Sequence, residues 1–227
     1  MAVAKFKILC LHGIGTNSEI FEAQIAGLIY ELGTDYDFQF IDGAYPWPAA
    51  PGIREMFGDQ ICYSYYDGSA QSAYQAVDDL AAYACSNGPY DAVLGFSLGA
   101  TLAATLLLRD ADQELCKPDQ CRPGGPTFRC AFFFCGTLPC DWHQLELGEM
   151  KFLDAGDIKQ PIQIQTLHVW SPADVAYPGQ SAQVADMCDN RKKKVVTHGE
   201  GHAIPSQRGI LTNIANDIRE LVAKTDT

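Results

Sequence analysis

Residues Tyr90–Arg109 read YDAVLGFSLGATLAATLLLR. The first part, Tyr90–Gly95, is a short apolar run of strand character. From Leu98 onward the Ala- and Leu-rich run has the length and composition of a helix. Between them Gly95-Phe96-Ser97-Leu98-Gly99 puts a glycine two residues before and two residues after a serine. A chain that passes from strand to helix in so few residues forces its central residue into strained dihedrals, so the flanking positions must be small. The serine hydroxyl is then thrown clear of the strand end, with a helix N-terminus behind it that favours negative charge.

Working outward, strands and helices alternate. Lys5–His12 (KFKILCLH), Tyr36–Asp42, Arg129–Cys135 (RCAFFFC), Ile162–Trp170 and Lys193–Thr197 read as strands, several of them apolar on both faces. Ser18–Leu32, Ser69–Cys85, Gly179–Cys188 and Ser206–Ala223 read as helices. The first has Asn17 or Ser18 as its cap and closes at Gly33. This order predicts an α/β fold with a mainly parallel sheet and helices on both faces, in one domain over 1–227 with no large separate cap. Two stretches, 43–68 and 136–161, have no clean period; loops that long are usually functional, so both are expected to wall a pocket. Ala111–Phe128 reads as a polar surface loop.

The composition excludes several roles. The chain has 227 residues, 47% hydrophobic and 19% charged, with 16 Lys and Arg against 28 Asp and Glu, a net charge of −12. Such a surface repels phosphate backbones and anionic lipid, so neither nucleic acid nor membrane is an expected partner. No targeting segment is legible and no apolar run reaches the roughly 20 residues of a membrane span, so a cytoplasmic location is expected. The basic run Arg191–Lys194 precedes a strand and reads as a solvated turn at the sheet edge away from the serine. Nine cysteines read as reduced, mostly buried thiols. The cluster Cys116, Cys121, Cys130, Cys135 and Cys140 has no C-x-x-C spacing and no interleaved histidine, so no metal site is expected, and a Cys116–Cys121 bridge is a minor alternative.

A serine hydroxyl needs a base, and the base needs an orienting acid. The G-x-S-x-G turn in this context is that of the α/β-hydrolase fold, where the order is Ser, then Asp or Glu, then His. Two histidines follow near the C-terminus. His198 ends a strand and reads as a packing residue; His202, in the flexible stretch Gly199–Pro205, reads as the base. His168 falls mid-strand in the core, and His143 lies in a loop with nothing convergent around it. Asp174 follows the strand Ile162–Trp170 and reads as the acid. Asp154 and Asp157 precede that strand, and Asp186 and Asp189 belong to a solvated helix face or end. Oxyanion donors are expected from the backbone N–H of Leu98 and from Leu11-His12-Gly13-Ile14-Gly15, with Ile14 the chosen donor.

These residues together resemble the FSH family of small serine hydrolases within the α/β-hydrolase superfamily. The resemblance is carried by LHGIGTNSEIFEAQ (Leu11–Gln24), GFSLGA (Gly95–Ala100), HVWSPADVAYP (His168–Pro178) and HGEGHAIP (His198–Pro205). It implies an α/β-hydrolase with Ser97, Asp174 and His202 as its triad and no cofactor or metal. Glu200 departs from the glycine often found there, which touches the flexibility and local charge of the loop. The Pro-rich aromatic stretch Tyr45–Tyr66 resembles fungal members that release acyl chains from polyketide synthases. The expected activity is therefore ester or thioester cleavage through an acyl-enzyme, most simply by a stand-alone thioesterase acting on a polyketide or similar chain held by a carrier domain. A small-molecule carboxylesterase, an acyltransferase or condensing enzyme using the same acyl-enzyme, and a non-catalytic binding module are the alternatives. Tyr45, Trp47, Phe57, Tyr63 and Leu138 are the candidate contacts for an apolar acyl chain, and a homodimer is possible.

Overall fold

The computed structural model describes residues 5–112 and 127–225. In chain order the elements are β1 (Phe6–Leu11), α1 (Ser18–Gln24), α2 (Ala26–Leu32), β2 (Tyr36–Ile41), β3 (Tyr45–Trp47), α3 (Ile53–Phe57), β4 (Cys62–Ser64) and α4 (Ala70–Asn87). They continue with β5 (Ala92–Phe96), α5 (Leu98–Ala111), β6 (Cys130–Phe134), α6 (Trp142–Glu146), β7 (Gln165–Trp170), α7 (Gln180–Asp186), β8 (Lys193–Thr197) and α8 (Arg208–Ala223). Six strands form one sheet in the order β2-β1-β5-β6-β7-β8, and every neighbouring pair is parallel. The short strands β3 and β4 form a separate antiparallel ribbon. Because all six main strands run the same way, the segments that leave them collect along one edge of the sheet.

Side-chain alternation on the central strands divides the core in two. Leu9, Leu11, Val93, Ala131 and Phe133 face a cluster with the buried sides of α4, α5 and α6. Ile8, Cys10, Ala92, Leu94, Phe132 and Phe134 face the opposite way, against α1, α2 and α8. Strands buried on both faces are what a run such as CAFFF requires, since neither parity of side chain reaches water.

The structure refines several expected elements. Ser18–Leu32 is two helices rather than one, parted at Ile25. Asn17 is the cap, its side chain accepting from the Ile20 N–H at 2.8 Å. The strand expected from Ile162 begins at Gln165, and Ile162 itself makes only a single bridge to Cys188. Of the loop expected over Ala111–Phe128, 113–126, with Cys116 and Cys121, lie outside the described residues. Phe128, at its end, is fully buried. The stretch 43–68 contains β3, α3 and β4, and 136–161 contains α6; they follow the carboxyl ends of β2 and β6.

Among the described residues, no helix is long and apolar enough to cross a membrane. The basic run is compensated where it stands. Arg191 pairs with Asp189 at 3.0 Å, Lys193 with Asp186 at 3.0 Å, and Lys194 with Asp217 at 2.6 Å. The Lys192 ammonium donates to the Gln163 carbonyl at 2.6 Å. All four lie at the amino end of β8, across the sheet from Ser97; Arg191 and Lys192 form the expected turn, whereas Lys193 and Lys194 open β8 itself with their side chains largely covered.

Candidate active site

Ser97 links β5 to α5 and has φ 52° and ψ −115°. A side chain is rarely found at positive φ, and here the tertiary structure holds it there. The Ser97 N–H donates to the Phe134 carbonyl at 2.9 Å, which ties the turn to β6. The flanking glycines are required by contact. A Cβ on Gly99 would lie 2.2 Å from the Leu11 carbonyl oxygen, and one on Gly95 would lie 2.5 Å from the Ala100 nitrogen.

Asp174 and His202 reach Ser97 from the two strands beyond β6. The His202 Nε2 lies 2.9 Å from Ser97 Oγ, and its Nδ1 lies 2.7 Å from Asp174 Oδ2. The other oxygen, Asp174 Oδ1, accepts the N–H groups of Ala176 at 2.9 Å and Tyr177 at 3.1 Å. Burial alone would raise the Asp174 pKa. The His202 hydrogen bond and the two amides outweigh that effect and hold the carboxyl below its ordinary value. An ionised Asp174 can only accept, so Nδ1 of His202 carries a proton and Nε2 is left to accept from Ser97. The imidazole packs against two rings, with centroids 5.3 Å from Phe96 and 4.8 Å from Tyr177.

The loop that carries His202 is tied down twice. The Glu200 carboxylate accepts the Ser206 N–H at 3.0 Å and the Ser206 hydroxyl at 2.9 Å, bridging across His202. Burial pushes the Glu200 pKa up, and the Ser206 bonds bring it below its usual range. From below, the Cys135 thiol donates to the Ala203 carbonyl at 3.3 Å. Cys135 is fully buried at φ 45°. Burial, and then the Asp174 charge, push its pKa up to about 12, so it stays a thiol and a donor. Glu200, whose departure from glycine touches the flexibility and charge of this loop, is one of its two ties.

Cys135, Asp174 and His202 each offer one atom within 4.8 Å of the others, a set from which a metal could draw ligands. Here those atoms are engaged with one another or with the loop. Of the expected oxyanion donors, Leu98 directly follows Ser97, and Ile14 follows Gly13, which packs against Phe96 and the serine turn. Neither the Ile14 N–H nor the Leu98 N–H meets an acceptor among the described residues.

The remaining histidines separate as expected, with one correction. His168 is buried against Phe133, and burial drives its pKa down to about 3. The His198 Nδ1 accepts the Glu200 N–H at 3.1 Å and does not contact Ser97. His143 belongs to α6 rather than a loop, and Asp112 converges on it at 3.0 Å. Asp154 and Asp157 cap one 3₁₀ turn, far along the chain from the serine.

The candidate acyl contacts are divided by the ribbon. Tyr45 and Trp47 pair with the buried Ser64 and Cys62 and share their face, whereas Tyr63 pairs with Pro46 and faces the other way. Phe57 packs into a small cluster with Ile20, Ile53 and Cys62. Leu138 lies next to Thr137, whose carbonyl accepts the hydroxyl of Thr101 in the first turn of α5 at 3.2 Å. Phe96 and Tyr177 were not singled out by the sequence, and Cys135 stood out only as one of a cysteine cluster read as reduced thiols. Phe96 is a free position in the serine motif, and no spacing rule marks a residue that flanks an imidazole.

The family described as serine hydrolase (FSH1) matches residues 1–214. The chain belongs to that family. Its relatives include the esterase FPY3 of Fusarium mangiferae, 38% identical over 205 residues, covering 88% of each chain. The hydrolase phiM of Fungal sp. (strain ATCC 74256) is 32% identical over 219 residues, covering 95% of this chain and 94% of that one. Among solved structures, Zea mays acyl-protein thioesterase 2 superposes with a TM-score of 0.62 at 16% identity, over 97% of this chain and 95% of that one. The Bacillus cereus carboxylesterase superposes at 0.59 and 15% identity, over 97% and 89%. At such identities the likeness speaks for the α/β-hydrolase fold. Membership of the FSH1 family makes the chain a serine hydrolase.

Proposed function

We propose that Ser97, His202 and Asp174 act as the catalytic triad of an acyl hydrolase whose preferred substrate is an acyl thioester on a carrier. What supports the triad is the unbroken hydrogen-bonded line from Ser97 Oγ through His202 to Asp174 Oδ2. His202 Nε2 takes the Ser97 proton as Oγ bonds to the carbonyl carbon. The Leu98 and Ile14 amides receive the oxyanion. Collapse of the tetrahedral species breaks the bond to sulfur or oxygen, and His202 protonates the departing thiol or alcohol. Water, deprotonated by His202, then attacks the acyl-enzyme, and the free acid leaves with Ser97 restored. Asp174 stays ionised throughout, holding the tautomer and stabilising the imidazolium.

The carrier-bound polyketide or similar acyl chain is inferred from the Pro-rich aromatic stretch over Tyr45–Tyr66. Tyr45, Trp47 and Leu138 are its proposed contacts. The compensated run Arg191–Lys194 is not a proposed docking patch for the carrier. A second reading, cleavage of small oxoesters, is favoured by a relative named as an esterase. The test is kcat/KM for one acyl chain offered as an N-acetylcysteamine thioester and as a matched oxoester, each corrected for uncatalysed hydrolysis. A thioester preference that disappears in Ser97→Ala is the expected result. An oxoester preference selects the second reading, and undiminished turnover by Ser97→Ala removes the triad.

A further inference from the structure

We infer that His12 is a positioning residue for the oxyanion site: its ring fixes the orientation of the Gly13–Ile14 peptide. The inference rests on the acyl-enzyme reading and concerns a histidine to which the triad gives no task.

His12 follows β1 and is fully buried. Its Nε2 accepts the Gly43 N–H at 3.0 Å. An accepting Nε2 carries no proton, so in the neutral ring the proton is on Nδ1. Nδ1 lies 2.7 Å from the Gly13 carbonyl oxygen and donates to it. A second donor, the Thr16 hydroxyl, reaches the same oxygen at 2.7 Å. Burial lowers the pKa of His12, more than the Gly13 bond and the Asp42 charge restore, which keeps the ring in this neutral form. Tyr65 stacks on the imidazole at 4.8 Å between centroids and stops it from turning.

The consequence for Ile14 follows from the planarity of the peptide. In a trans peptide the carbonyl and the next N–H point in opposite directions. Two donors holding the Gly13 oxygen on the His12 side therefore turn the Ile14 N–H away from His12 and Thr16. Gly13 is pressed against the serine turn, since a Cβ on it would lie 2.7 Å from Phe96 Cδ1 and 3.6 Å from Ser97 Cβ. The N–H that leaves this peptide is thus fixed beside Ser97 before substrate arrives, which is what electrostatic stabilisation of an oxyanion needs.

The stretch 43–68 braces the same loop. Beyond the Gly43 bond to His12, the Tyr63 carbonyl accepts the Gly15 N–H at 3.0 Å, and the Tyr63 N–H donates to the Thr16 carbonyl at 2.8 Å. The Ala50 N–H donates to the Gly15 carbonyl at 2.9 Å. This stretch therefore has a task besides walling a pocket, which is to hold the His12–Thr16 turn rigid.

The test separates the hydrogen bond from the volume. His12→Phe keeps a ring against Tyr65 and removes both nitrogens; His12→Asn keeps a donor at the position of Nδ1. We expect His12→Phe to lose about 10- to 100-fold in kcat with KM little changed, below the effect of deleting an oxyanion donor outright. It should lose affinity for a boronic acid, which forms a tetrahedral adduct on Ser97, by a similar factor. His12→Asn should recover most of both, and Thr16→Val should show a smaller loss of the same kind. A role in packing alone predicts that His12→Asn, which gives up the ring against Tyr65, loses at least as much as His12→Phe, with losses that track the melting temperature, and that pattern would overturn the inference. So would a His12→Phe variant with unchanged kcat and boronate affinity. Ser97→Ala, run alongside, tells whether the acyl-enzyme reading itself has failed.

Discussion

Replacing Asp174 by Asn tests the site at one atom. Asp174 Oδ1 accepts two backbone N–H groups, at 2.9 and 3.1 Å. An asparagine must keep its amide oxygen there, because its NH₂ cannot face two donors. The NH₂ is then turned toward His202 Nδ1, which now donates at 2.7 Å. Two N–H groups cannot face one another at that distance, so Nδ1 gives up its proton and Nε2 takes it. Nε2–H faces Ser97 Oγ and can no longer accept. The Asp174 side chain is only 5% exposed, so solvent offers no substitute acceptor. Trapping the wrong tautomer in a triad costs about 10⁴-fold in kcat, or about 5.4 kcal/mol at about 1.36 kcal/mol per decade. Stability should move far less. A charge-assisted hydrogen bond contributing about 1.5–3 kcal/mol is lost, but a partly desolvated charge is lost with it. The assay is kcat/KM for p-nitrophenyl butyrate from pH 6 to 9, alongside the melting temperature. Turnover within tenfold of wild type across that range would refute the tautomer argument. A large loss accompanied by unfolding would mean that Asp174 holds the loop rather than the proton.

Three further outcomes follow from the geometry. Ser97→Gly should melt at a higher temperature than Ser97→Ala, both inactive. The positive-φ strain that Ala retains is worth about 1–3 kcal/mol, against about 0.5–1 kcal/mol for the greater freedom of unfolded Gly; scanning calorimetry of the pair decides it. Glu200→Ala should lower kcat several-fold and stability by about 1–2 kcal/mol through loss of the Ser206 bonds. Glu200→Gln should lie between it and wild type; steady-state kinetics with hydrogen exchange across Gly199–Ser206 will show whether loop opening rises in that order. Hydrogen bonds from Ser72 and Ser69 hold the exposed Asp67 carboxyl down at about 2. Its folded pKa lies below its unfolded one, so the stabilisation is complete above about pH 4 and lost as the pH falls toward 2. Asp67→Asn should flatten the stability curve in that window, read by denaturant titration at each pH.

The sheet and the site differed in how much of them could be read from sequence. β6 was legible because CAFFF is apolar at both parities, and Ser97 because two glycines bracket it at contact-limited positions. His202 could be separated from His198 by position alone, one residue ending a strand and the other beyond it. What was not legible depends on contacts between distant segments. Nothing in LHGIG says that the His12 ring meets Gly43, which lies 31 residues on. Nothing in FFFCG says that a thiol sits under the Ala203 carbonyl, 68 residues away. The break at Ile25 also escaped, because the apolar spacing on either side of it continues in phase. Phe57 and Tyr63 were singled out for aromatic character, which does not record that one joins a local cluster and the other faces away from Tyr45.

The site has a temporal aspect. Ser97 and His202 stand 105 residues apart in sequence. The serine turn is completed only when the Ser97 N–H meets β6, and Asp174 and His202 arrive only with β7 and β8. Parallel strands joined by long crossovers are slow to assemble, since each pairing must close a loop before it is rewarded. A refolding chain can therefore regain most of its helix, and even the strained serine, while still inert. On the proposed triad, recovery of turnover on refolding should mark the docking of the last strand, a clock for the completion of the fold that the chemistry itself would supply.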